Sequence, residues 1–243
     1  MTRVLLYGER GMLGTAIREQ APDDIEVVDS RARFTYDLSA DGGVLLDTLY
    51  ELGENVTAVI NCVGMRPENA WHPGWMAYIN GTLPHLIAAR WTTAHIPVIH
   101  VSTDCVLTLD SHYARTKLAG ESDDAINVRT SFVGPRHGLW AWLVEQVTKG
   151  QLVEGWVNAW WSGSTVNAVA SALLELAGDP GDARTLNLAT EGPISKYLLL
   201  ESLIEQLELE VPMKWVPEPH IDRRMVPDIV LPPFAEALRE MVP

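Results

Sequence analysis

Short β-branched and apolar runs at 3–7, 25–29, 57–62, 97–103, 126–130 and 185–189 alternate with longer helical patterns near 12–20, 42–53, 74–95, 112–121, 138–149 and 165–177. This alternation is the strongest constraint on the chain. A strand that returns to the same sheet through a helix runs parallel to its predecessor, so repeated units predict a doubly wound α/β fold: a parallel sheet with helices on both faces. The apolar runs are nearly continuous, as expected of strands buried on both faces.

After residue 189 the pattern changes. Ser195 is placed to cap a helix through KYLLLESLIEQL, and a tail punctuated by Pro212, Pro217, Pro219, Pro227, Pro232 and Pro233 follows. Residues 1–189 are therefore expected to form a Rossmann domain, with 131–164 bordering a substrate cleft. Residues 190–243 are expected to form a small lobe that does not fold independently.

The first strand runs into GERGMLG, with glycines at 8, 11 and 14, and a helical pattern starts at once. That context suits a dinucleotide loop. Gly8 permits the turn, Gly11 lets a pyrophosphate approach the backbone, and Gly14 lets helix and strand pack closely. The N–H groups of the first helical turn, at Met12 and Leu13, then face the phosphates. Asp29 ends the second strand where an acid can take a ribose 2′-hydroxyl, which favours NAD. Arg10, Arg31 and Arg33 converge on the same corner and favour the 2′-phosphate of NADPH. The three arginines tip the expectation to NADPH, with NADH as the alternative.

A second constellation follows the strand ending in Ser102, Thr103 and Asp104, where Tyr113 and Lys117 form a YxxxK pair. Positions i and i+4 share a helix face, so phenol and ammonium point into one cleft. A tyrosine titrates near about 10, and an adjacent cation is expected to lower that value towards neutrality, suiting the phenol to proton transfer. Thr103, at the carboxyl end of a central strand, is placed to hydrogen-bond a substrate carbonyl.

GERGMLG, INCVG, VSTDCVL, YARTKLAGE and NVRTSFVGP, in this order, resemble the extended short-chain dehydrogenase/reductases and most of all the dTDP-4-dehydrorhamnose reductase family. The glycine loop with its internal arginine also resembles that of GDP-fucose synthase. The likeness extends through TLNLATEGPISKYLLLESLIEQL, so it covers nearly the whole chain. It implies reduction of a 4-keto nucleotide sugar for glycan synthesis, with Tyr113 as acid, Lys117 holding the nicotinamide ribose and Thr103 orienting the substrate. It further places Asn61, Cys62, Val63 and Gly64 along the adenosine side, Asp37 and Leu38 near the adenine, and Ser102 beside the cofactor. Asn80 stands where the family has a helix asparagine that organises the active site. Arg66, Asp104, Arg129, Trp161 and Arg223 are candidate substrate contacts, with Arg136 and Arg224 further choices for a diphosphate.

Two departures stand out. Eight residues separate Asp104 from Tyr113, fewer than the family's loop, and Cys105 replaces its aromatic residue. The cysteine also removes the acid that nucleotide-sugar dehydratases carry there. The shortened loop keeps open a non-catalytic nucleotide-binding subunit, like the regulatory subunit of methionine adenosyltransferase. An epimerase with tightly held NAD is the third reading.

A net charge of −14 disfavours nucleic acid and anionic membranes as partners. No apolar run approaches the length of a membrane span and no signal peptide is apparent, so a cytoplasmic protein is expected. Cys62 and Cys105 suit packed reduced thiols, and the spacing of His and Cys predicts no metal site. Five tryptophans, Trp140, Trp142, Trp156, Trp160 and Trp161, cluster beside the expected cleft and suit either core packing or stacking on a ring. A nucleotide-sugar substrate and a homodimer complete the expected partners.

Overall fold

The computed structural model describes residues 1–30, 55–70, 72–135 and 137–241. Its elements are β1 (Thr2–Tyr7), α1 (Met12–Gln20), β2 (Ile25–Asp29), β3 (Ala58–Asn61), α2 (Pro73–Ala77), α3 (Leu83–Thr92), β4 (Val98–Thr103), α4 (His112–Leu118), β5 (Ile126–Thr130), β6 (Phe132–Val133), α5 (Gly138–Thr148), β7 (Val153–Trp156), β8 (Ala159–Trp161), β9 (Ser164–Thr165), α6 (Val166–Gly178), β10 (Arg184–Thr190), β11 (Ile194–Ser195), α7 (Lys196–Gln206), β12 (Met213–Val216), β13 (Ile221–Arg223), β14 (Ile229–Leu231) and α8 (Phe234–Met241). The helix expected over 42–53, and with it Arg31, Arg33, Asp37 and Leu38, lies outside the described residues.

Among the described residues the main sheet has seven strands in the order β14-β10-β5-β4-β3-β1-β2. Every pairing in it is parallel. The order reverses between β1 and β3, and ligands of open α/β sheets sit at the carboxyl ends of the strands beside such a reversal. α1 and α6 cover one face through Leu13, Ile17, Val169 and Leu173, which pack on Val4, Leu6 and Ile60. α3 covers the other through Leu83, Ile87 and Trp91 against Leu5, Tyr7 and Val59. Trp91 Nε1 donates to the buried Tyr7 hydroxyl at 3.1 Å, which satisfies both polar tips inside an apolar layer.

The helix expected over 74–95 is divided. α2 ends at Ala77, Tyr78–Thr82 forms a π-helical turn, and α3 resumes at Leu83. The wider turn goes with the buried Asn80, whose side-chain amide bonds the Met65 backbone instead of lying along a regular helix. A Cβ on Gly120 would lie 1.9 Å from the Asn80 carbonyl oxygen, so the end of α4 rests directly on this turn.

The C-terminal segment returns to the sheet. β14 pairs with β10, and α8 packs beside α7 through Phe234 and Leu238. The periodicity also leaves out several short strands. β11, β8 and β13 form one small sheet, β12 pairs with β7, and β6 pairs with β9. Ser111, Thr165 and Ser195 cap α4, α6 and α7 by accepting from the N–H groups of Ala114, Ala168 and Leu198. No helix among the described residues is long and apolar enough to cross a membrane.

Candidate active site

The glycine loop joins β1 to α1 with little room. Gly8 has φ +86°, and a Cβ there would meet the backbone of Cys62 and Val63 at 2.9 Å. A Cβ on Gly14 would stand 2.2 Å from the Gly8 carbonyl oxygen, so the first turn of α1 lies against the loop. Gly11 is the N-cap of α1 and brings no side-chain cap, and the first turn holds no acidic residue. The N-terminal N–H groups of a nine-residue helix are thus left for an anion. Gly14→Ala is expected to lower stability by about 1–3 kcal/mol, the usual cost of overpacking, and to weaken dinucleotide binding with it. Thermal unfolding and NADPH titration of the variant check both.

At the rim of the loop Arg10 is exposed, as a group meeting a phosphate from solvent would be. Asp29 has one carboxylate oxygen 3.2 Å from Arg18, while its buried Oδ1 has no hydrogen-bond partner. An acceptor therefore remains for a hydroxyl.

The cleft at the strand-order reversal has a volume of about 510 Å³. Gly11–Gly14, Cys62–Gly64, Arg66, Ser102–Cys105, Tyr113, Lys117, Ser131, Phe132 and Arg223 line it. Asn61 is fully buried and lies behind this wall. Its Oδ1 accepts from Val63 N at 3.0 Å and its Nδ2 donates to His100 Nδ1 at 3.1 Å, so it shapes the turn after β3 and is not itself in the lining. That pairing puts the His100 proton on Nε2, which has no partner. Burial and the nearby Lys117 hold the imidazole well below its usual range, and it is neutral. Asn80 Oδ1 accepts from Met65 N at 2.8 Å, and its Nδ2 donates to Met65 O at 2.9 Å and Thr116 Oγ1 at 3.3 Å. Asn80 thereby fastens the turn carrying Val63 and Gly64 to the helix carrying Tyr113 and Lys117.

Tyr113, Lys117 and Thr103 share the cleft, but the Tyr–Lys electrostatics differ from expectation. Burial pushes the Tyr113 phenol up to about 12, Cys105 and Asp104 add to the rise, and Thr103 and Arg66 pull against it. Lys117 is not among these influences. Its ammonium is buried and donates to the Val101 carbonyl at 2.7 Å. Desolvation lowers it to about 8, against the opposing pull of Cys62 and Glu121. The phenol is therefore a fully protonated acid at neutral pH. Thr103 Oγ1 donates to Asp104 Oδ1 at 3.1 Å and accepts from Cys105 N at 3.3 Å, which fixes the hydroxyl at the strand end. Asp104 is 2% exposed, and burial raises its carboxyl despite Arg223 and three hydrogen-bonding neighbours. The Cys62 thiol is pushed up to about 12 by burial, so neither cysteine resembles an activated nucleophile, Cys105 also being raised.

The arginines divide. Arg129 does not line the cleft: its Nε and Nη2 grip Glu121 at 2.9 and 2.6 Å. Ser102, although in the lining, donates its hydroxyl to the same Glu121 at 2.7 Å. The expectation that Arg129 meets a diphosphate is corrected, because a carboxylate already saturates the face of its guanidinium. Arg224 is likewise held by Asp222. Arg136 lies outside the described residues. Arg66 lines the cleft and pairs with Glu68 at 2.8 Å. Arg223 lines it too and reaches Asp110 at 3.3 Å, bridging the short Asp104–Tyr113 segment to β13.

Behind Asp104 and Arg223 opens a smaller cavity of about 180 Å³, walled by Trp156, Trp160, Trp161 and Lys196. Trp161 is fixed by its Nε1 donating to Ser131 Oγ at 2.8 Å and by an edge contact with Phe234 at 5.4 Å. Trp140 belongs to the core, whereas Trp142 faces solvent. Sequence reasoning missed Lys196 because it reads as an ordinary early residue of α7.

Such a glycine cradle at a strand-order reversal, with Thr103, Tyr113 and Lys117 lining one cleft, has the form that a dinucleotide and a proton-transfer step require. Comparison with known proteins gives the fold a particular counterpart. The chain superposes on the dTDP-4-dehydrorhamnose reductase of Clostridium acetobutylicum with a TM-score of 0.79 at 17% identity, covering 99% of this chain and 98% of that one. It matches that of Bacillus anthracis, solved in complex with NADP, equally well: TM-score 0.79, 15% identity, 99% of each chain. RMD of Pseudomonas aeruginosa, solved with NADPH, gives 0.67 at 18% identity over 100% of this chain and 92% of that one. In sequence, the chain is 28% identical over 180 residues to a probable low-salt glycan biosynthesis reductase, Agl14, of Haloferax volcanii. That match takes in 62% of this chain and 60% of the relative's length. No family model matches the chain. Its fold is that of the dTDP-4-dehydrorhamnose reductases.

Proposed function

We propose that this protein is an NADPH-dependent reductase of a 4-keto nucleotide sugar, acting in deoxysugar or glycan synthesis. The observation that carries the reading is the meeting, in one cleft, of an uncapped glycine-loop helix with Thr103, Tyr113 and Lys117. The residues fit a dinucleotide: side chains at Gly8 and Gly14 would fill the cradle, and α1 offers free N–H groups there. Gly11, Met12 and Leu13 would hold its phosphates, Val63 and Gly64 its adenosine side, and Lys117 its nicotinamide ribose. The bound nicotinamide supplies hydride.

The chain's own part is to bind, orient and protonate. Thr103, whose one hydroxyl proton goes to Asp104 Oδ1 in the free protein, would turn that donor to the substrate oxygen that gains charge. Tyr113, protonated at neutral pH, gives that oxygen its proton. Arg66, Trp161 and Arg223 flank the substrate side. Arg10 favours the 2′-phosphate of NADPH, whereas the free Asp29 Oδ1 suits the hydroxyl of NADH, so NADH remains the second cofactor. The names of the dTDP-4-dehydrorhamnose reductases state a reductase of a nucleotide sugar, and that of Agl14 a glycan biosynthesis reductase, which supports the reading.

A panel of 4-keto-6-deoxy nucleotide sugars, read by loss of NADPH absorbance, tests the proposal. Turnover of at least one member is expected, together with a higher kcat/KM for NADPH than for NADH. Binding of NADPH without turnover of any member would instead favour a nucleotide-binding regulatory subunit, and NAD retained through purification an epimerase.

A further inference from the structure

The 180 Å³ cavity beside the cleft has a composition that proton transfer does not explain. It is built around β8, whose neighbours set its chemistry. β11 pairs Ser195 with Trp160, which places Lys196 at one end of the aromatic wall. β13 pairs Arg223 with Trp161, which brings a second cation to the other side. Lys196 Nζ stands 5.2 Å from the centre of the Trp156 ring and has no hydrogen-bond or ion-pair partner among the described residues. Arg223 meets Asp110 at its solvent side, but its buried Nε has no acceptor. Among the described residues the one acid in the lining is the buried Asp104. Lys196, desolvated beside Arg223 and without an acceptor, and the unpaired Nε of Arg223 carry a cost, which a bound anion relieves. Each indole offers a flat face beside them.

We propose that this cavity is an anion subsite, in which Lys196 and Arg223 hold a negatively charged group of the substrate against the Trp156–Trp161 wall. The inference rests on the nucleotide-sugar reading and extends it. The anion has two sources in such a substrate: the nucleotide diphosphate, or a carboxylate on the sugar. The cavity shares Asp104, Ser131, Phe132, Leu139 and Arg223 with the lining of the main cleft, so it adjoins the space in which a substrate would meet Tyr113.

Titration of the full chain by calorimetry with dTDP, inorganic pyrophosphate and glucuronate, each in the presence of NADPH, tests the assignment. Binding of dTDP and pyrophosphate identifies the diphosphate, and binding of glucuronate alone identifies a sugar carboxylate. Lys196→Met is expected to weaken the bound anion about tenfold, the order of one charge-assisted hydrogen bond. Lys196→Arg, which keeps the charge, is expected to retain most of the affinity and guards against a merely structural effect. Unchanged anion affinity in Lys196→Met overturns the proposal, as does absence of binding by all three anions while NADPH still binds. Failure of the wild-type chain to bind NADPH would instead remove the dinucleotide reading, a separate outcome read in the same titration.

Discussion

Tyr113→Phe is expected to lower kcat for NADPH-dependent reduction by about 10²–10⁴-fold, the range for loss of a positioned general acid, while NADPH affinity stays unchanged. Removing one hydroxyl leaves the ring, its packing and the glycine loop in place, so the loss falls on the chemical step. The direction of the phenol's shift sharpens the expectation. Burial with Cys105 and Asp104 nearby raises it to about 12, so it carries its proton throughout the neutral range. Reduction consumes a proton at the substrate oxygen, and no alkaline limb in the pH profile should arise from this group below about pH 10. One other group could compete. Asp104 is buried, its carboxyl is raised, and its Oδ1 is in contact with Thr103. If Tyr113→Phe keeps near-normal kcat and Asp104→Asn loses it, the proton comes from the carboxyl and Tyr113 only shapes the cleft.

Lys117→Met is expected to abolish turnover and yet change the pH dependence of stability in a defined sense. The ammonium is 3% exposed and lowered from 10.5 to about 8. For a base whose folded value lies below its unfolded one, burial of the charge is a cost fully present below pH 8. That cost is relieved as the pH rises from 8 towards 10.5, where only the unfolded chain still binds the proton. The shift corresponds to about 3 kcal/mol. Wild type should therefore gain stability relative to Lys117→Met across this window, by about that amount. Near neutrality the variant escapes the charge burial but leaves the Val101 carbonyl without its 2.7 Å donor, a loss of about 1–3 kcal/mol, so the two effects largely offset. Denaturant unfolding of both proteins at pH 7 and pH 10 measures the difference. Parallel pH curves would mean that the lysine binds its proton equally in the folded and unfolded chain, so that burial does not lower it.

The sheet and the cleft were largely legible because both rest on local pattern. Continuous apolar runs marked β1, β2, β3, β4, β5 and β10 of the main sheet, and glycine spacing with YxxxK marked the two walls of the cleft. What sequence spacing could not give was the direction in which a polar side chain turns. Arg129 and Ser102 lie on adjacent strands whose register pairs Ser102 with Arg129, and both spend their polar groups on Glu121, which arrives from the loop after α4. Asn61 turns behind the cleft because His100 stands opposite it in the ladder, a partner 39 residues away in sequence. The Tyr–Lys pair had the right helical face, but burial outweighed the cation, since Lys117 found a backbone carbonyl instead of the phenol. β11, β8 and β13 escaped notice for another reason. Strands of two or three residues carry no readable alternation, and their pairing depends on contacts distant in sequence. Lys196 and its cavity became visible only once that small sheet was assembled.

The central claim is that the cleft delivers hydride to a sugar ketone and a proton from Tyr113. Incubation with a 4-dehydro-6-deoxy nucleotide sugar and NADPH deuterated at nicotinamide C4, on one face or the other, reads it directly. The expected result is a product carrying deuterium on the carbinol carbon from one labelled face only, formed about 10²–10⁴-fold more slowly in Tyr113→Phe but still labelled. A carbinol that forms without deuterium from either labelled cofactor, or no carbinol at all while the cofactor is bound, would contradict it.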